Sequence, residues 1–141
     1  LGLDAVGLTN RKNIGLRADE IFALLDRQTG QTCFEDPTVE RKYQHQFKAA
    51  DYRVGNIATV AALCEQVSQL LGPGSFVVQK VLYDGPHSGD HIPIDALSML
   101  SAELDSLIRA RYVSPFLQEF ISKMGNLVRA TNQESNPIVF C

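Results

Sequence analysis

Three stretches of this chain repeat large apolar residues at intervals of three and four. The first holds Ile57, Val60, Ala61, Cys64, Val67 and Leu71, the second Leu97, Leu100, Leu104, Leu107 and Ile108, and the third Leu117, Phe120, Ile121, Met124, Leu127 and Val128. That spacing predicts helices with one buried side. Each carries a start signal: Asn56 as an N-cap, Pro93 at a first helical position with Asp95 in the first turn, and Ser114 followed by Pro115. Gly72, Pro73 and Gly74 stop the first helix, because Gly accepts the left-handed exit and Pro cannot continue the ladder.

Three such stripes need a common surface, and strands are the available one. Residues 3–8 read as a first strand with Asp4 on one face, residues 51–54 as a short one closed by Gly55, and residues 138–140 as a last one. The run Ser75, Phe76, Val77, Val78, Gln79, Lys80, Val81, Leu82, Tyr83 is β-branched and aromatic, and its pattern predicts the central strand. The expected fold is therefore α+β: a single domain over residues 1–141, with a small β-sheet packed against about three amphipathic helices. Residues 16–26 suggest a short helix or helical turn, ended near Gly30. Residues 31–50 are the most polar part, where Val39, Tyr43 and Phe47 at helical spacing predict an exposed helix over 37–50 or a surface excursion.

Composition narrows the function. A chain of 141 residues can close one core without staples, and a net charge of -3 gives no basic field for nucleic acid or an anionic membrane. No apolar run is long enough to span a bilayer and no signal-peptide blocks open the sequence, so the chain is expected in the cytosol. Cys33, Cys64 and Cys141 are odd in number and lie in no metal-binding spacing, which fits a reducing compartment. Cys64 reads as a small buried thiol and Cys33 as an exposed one, with His45 the sole base at modest separation. No P-loop, G-x-G-x-x-G or G-x-S-x-G is present, so no cofactor is expected.

The candidate site is the loop 84–91, which follows the expected central strand and opens into the second helix. It holds the densest titratable cluster, Asp84, His87, Asp90 and His91, among turn residues Gly85, Pro86, Ser88 and Gly89. His87, Asp90 and His91 are the residue types a divalent metal uses. The spacing departs from the H-x-H-x-D-H pattern of a metallo-hydrolase family: with Asp90 and His91 aligned, Pro86 and Ser88 stand where histidines belong. The structural reading of the same loop is a polar corner whose Asp90 or His91 caps the next helix and whose glycines take positive φ. Tyr52 and Arg53 add polar handles for binding.

One order of signals is familiar: Gly2-Leu3-Asp4, then Tyr52-Arg53 with a Gly before a helix. Next come Val81-Leu82-Tyr83-Asp84 and His87-Ser88-Gly89-Asp90 leading to Ile92-Pro93, then the Phe120 helix and the strand at Ile138 to Phe140. It resembles a group of small bacterial cytosolic proteins, some of which resemble immunity proteins of polymorphic toxin systems. In that group the central loop more often has a His-Ser-Asp-Cys-like core, which this chain lacks. The resemblance implies a binding role with a protein partner and no chemistry. The expected function is protein binding without catalysis, as an immunity-type inhibitor of a bacterial toxin. The competing expectation is a small metal-assisted hydrolase in which metal-bound water at the 84–91 loop passes its proton to Asp84.

Overall fold

In the computed structural model, residues 2–10, 13–14, 24–25, 32–33, 37–87, 89–110 and 112–141 are described. The strands are β1 (Gly2–Leu8), β2 (Leu24–Leu25), β3 (Thr32–Cys33), β4 (Lys48–Asn56), β5 (His91–Ile92) and β6 (Ile138–Phe140). The helices are α1 (Pro37–Tyr43), α2 (Ile57–Leu71), α3 (Phe76–Lys80), α4 (Leu97–Ile108) and α5 (Pro115–Glu134). Four strands form an antiparallel sheet in the order β4-β1-β6-β5, and β2 pairs with β3 apart from it. This is the α+β arrangement that the stripes require.

Helices α5 and α2 lie on the sheet, and α4 packs against α5, α2 and α3. Leu3, Ala5, Val54, Ile138 and Phe140 from the strands meet Leu63, Val67, Leu100, Leu104, Phe120, Met124 and Leu127 in one core. All six apolar positions expected on α5 are buried, as are four of the five on α4; Ile108 is exposed. The expected caps form, with Asn56 Oδ1 accepting from Thr59 N at 2.9 Å and Ser114 Oγ from Leu117 N at 3.1 Å. Gly72 ends α2 at φ 91.

The expected central strand at 75–83 is instead helix α3 followed by a turn. Val77 and Val81, four residues apart, are fully buried, so the run meets the core with helical periodicity. Its first N–H groups are held from a distance: Glu103 on α4 accepts from Phe76 N at 2.7 Å and Val77 N at 2.9 Å, while Ser75 Oγ accepts from Val78 N at 3.3 Å. Satisfying the donors that open a helix outweighs a strand propensity whose whole range is about 1 kcal/mol. The centre of the sheet is β1 and β6.

Three smaller differences follow from the same packing. The helix expected over 37–50 stops at Tyr43, passes through a 3-10 turn (Gln44–Gln46), and gives way to β4 from Lys48. A strand longer than residues 51–54 results, since β1 offers pairing along its whole length, with register slips between Leu3 and Asp4 and between Gly7 and Leu8. The second helix begins at Leu97 after a 3-10 turn (Ile94–Ala96), not at Pro93. The helical turn expected at 16–26 and the side chain of Cys33 lie outside the described residues, except that Leu24–Leu25 form β2.

Candidate functional site

The β4–α2 junction sets the first wall of a cleft. Gly55 sits at φ 146, and a Cβ there would meet Thr59 Cγ2 at 2.4 Å, so the strand turns into the helix without side-chain clearance. The helix then presents two adjoining apolar sides. Val60, Leu63 and Val67 face the core, whereas Ile57 is 63% exposed, Ala61 is exposed and Cys64 is half-buried.

The second wall is the segment that leaves α3. Leu82 N donates to Val77 O at 2.9 Å and the Leu82 side chain is buried, after which residues 83–87 line the cleft. The His87 ring lies against the Tyr83 ring with centroids 3.8 Å apart, and it meets Phe140 edge-on at 5.8 Å. Its Nε2 is 3.0 Å from Val81 O; a carbonyl only accepts, so Nε2 carries the proton. The Tyr83 hydroxyl bonds the Asp90 carboxylate. Burial first, then that bond and the charge of Asp90, push the Tyr83 phenol up to about 12.

Backbone bonds complete the corner, with Gly89 N donating to Phe140 O at 3.2 Å and Phe140 N donating to Asp90 O at 2.9 Å. Gly85 and Gly89 take φ 129 and φ 89, the positive angles the turn chemistry predicts. Neither Asp90 nor His91 caps the following helix. Asp90 is engaged by Tyr83, His91 lies in β5 opposite Val139, and α4 opens from Ala96 without a side-chain cap.

Between these walls, with Gly2, Leu3 and Cys141 also lining it, is a half-open cleft of ≈ 860 Å³. The volume is in the range of ligand-binding pockets, and most of the lining is apolar. Asp84 and His87 from the expected site border it; Asp90 and His91 do not. The cleft also takes in residues the sequence reading left in the core or passed over, namely Ile57, Ala61, Cys64, Glu65 and Cys141. One signal could have found the apolar ones on α2. Apolar residues on α2 cover positions 57, 58, 60–64, 67, 70 and 71, too many for a single buried side.

Tyr52 and Arg53 stand apart from the loop, on an edge strand separated from β5 by β1 and β6. As neighbours on a strand they face opposite ways. Tyr52 packs on Phe120, ring centroids 6.4 Å apart, and burial, with the charge of Glu119 second, pushes its phenol up to about 12. Arg53 pairs with Asp4 at 2.7 Å on the other face. Neither lines the cleft.

The loop does not assemble its titratable groups around one point. Among the described residues no group of three His, Cys, Asp or Glu side chains is placed to hold a metal ion. No described helix is long and apolar enough to cross a membrane. Compared with protein-family models, curated proteins and solved structures, the chain matches none.

Proposed function

We propose that this chain is a protein-binding domain, acting without chemistry of its own, that presents the cleft between α2 and residues 82–87 to its partner. The observation that supports this reading is the position of Ile57. A large aliphatic side chain, 63% exposed, sits at the mouth of an apolar cleft beside exposed Ala61, while the core below is closed. Apolar surface gathered over a cleft is what interaction sites use, whereas a single exposed aliphatic residue elsewhere needs no explanation.

The finer role within this reading is inhibition of a bacterial toxin in the manner of an immunity protein, which the resemblance of the chain's signals supports. Inhibitors of that kind bind fast through complementary potentials, and a compact acidic chain suits a basic target. Two experiments test the reading at its two levels. A photo-cross-linking residue at position 61 should capture a protein in cells of the source organism, and Ile57→Asp should abolish that capture. Failure to cross-link any protein removes the binding reading. A neighbouring gene for a toxin domain, whose lethality this chain suppresses on co-expression, is expected for the finer role; unchanged killing removes it.

A further inference from the structure

Among the described residues that line the cleft, the carboxylate, ammonium and guanidinium side chains are of one sign. Its lining includes two carboxylates, Glu65 on the α2 wall and Asp84 on the opposite wall, both exposed, and no lysine or arginine among the described residues. At its β1 end the Arg53 guanidinium lies over Gly2 and is paired with Asp4 at 2.7 Å. Asp4 sets a charge of opposite sign beside it. The apolar floor of Leu3, Val60 and Leu82 is thus flanked on both sides by negative charge close to low-dielectric walls, which focus it.

We propose that the cleft recognises a partner segment that carries large apolar residues next to lysine or arginine. The inference rests on the protein-binding reading above and adds the chemistry of what is bound. The apolar side chains of the segment fill the space between Ile57, Ala61 and Leu82, and its basic side chains reach the rim to meet Glu65 and Asp84. His87 lines the cleft with its ring packed on Tyr83 and Phe140 and its Nε2 donating to Val81 O. An acidic segment of the same apolar content would leave its carboxylates facing Glu65 and Asp84, which repels it.

The experiment is selection of a random peptide library displayed on phage against the wild-type chain, with Ile57→Asp/Ala61→Asp as the counter-selection. Both substitutions are at exposed positions in the first turns of α2, where added acidic residues are compatible with the helix. Expected are cleft-dependent peptides that pair apolar residues with Lys or Arg. The double variant Glu65→Gln/Asp84→Asn, with an unchanged melting curve, should bind them about tenfold more weakly, and the difference should shrink as salt is added. Peptides that are cleft-dependent but neutral or acidic would overturn this inference and leave the binding reading standing. Basic peptides whose affinity ignores the double variant would overturn it too. A library that yields no cleft-dependent peptide would count against both, and the cross-linking at position 61 then separates them: captured protein keeps the binding reading and discards the basic segment.

Discussion

The carboxylate of Glu103, on α4, accepts the backbone N–H of Phe76 at the start of α3 at 2.7 Å. Its second oxygen takes the N–H of Val77 at 2.9 Å. One side chain thus satisfies two donors of a helix too short to be stable alone, in the segment that leads to Leu82 in the cleft wall.

Removing that carboxylate should loosen the wall. Glu103→Ala leaves two partly buried donors without their acceptors and should cost about 1–3 kcal/mol. Glu103→Gln, which keeps one acceptor oxygen, should cost less. Urea unfolding of both variants measures the difference; equal stabilities of Glu103→Ala and wild type would show that α3 does not depend on this contact.

The corner glycines should be costly to replace for backbone reasons alone. A Cβ at Gly85 or Gly89 would meet nothing within 4 Å, so Gly85→Ala and Gly89→Ala should each destabilise by about 1 kcal/mol through their positive φ. Gly55→Ala should be worse, since it adds the collision with Thr59, and Thr59→Ser in the same chain should recover part of the loss. Thermal melts of the four variants give the ranking.

As through Tyr52, alkali should act in part through Tyr83. Its pKa is raised from 10.0 to about 12, so the fold favours the protonated phenol. The stability this lends is fully present below pH 10, the unfolded value, and is lost as pH rises through about 12. Tyr83→Phe should therefore be less stable than wild type near neutrality, by up to about 1 kcal/mol for the lost Asp90 bond. It should also show a shallower loss of stability across that alkaline window. Denaturant titrations at several pH values check it.

His87 should matter to folding more than the sequence suggests. The residue types of a polar turn give no sign of this, but the ring is half-buried, packed against Tyr83 and bonded to Val81 O. His87→Ala should lower stability by about 1–2 kcal/mol, with the loss of the bond and of the ring packing both contributing. His91→Ala is the comparison at the next histidine. Added zinc, manganese or iron should leave the melting temperature of the wild type unchanged; a rise that His87→Ala or Asp90→Asn removes would restore the metal reading of the loop.

The sequence alone determined the parts whose cause is local. Regular spacing placed α2, α4 and α5 and caps placed the starts of α2 and α5, since Asn56 and Ser114 bond N–H groups three residues away and the stripes record which side meets an apolar surface. Positive φ at Gly85 and Gly89 was legible for the same reason, because a tight polar turn admits few other residues. Tertiary structure decided the rest. The run 75–83 has strand-forming composition, yet Glu103, more than twenty residues on, supplies the acceptors that make it a helix. Periodicity showed that α2 is apolar on one broad side. Which part of that side faces the core depended on where α3 and residues 82–87 were packed, and this left Ile57 and Ala61 at the cleft instead of inside. Contacts between distant segments leave no period in the chain that makes them, so the site had to wait for the fold.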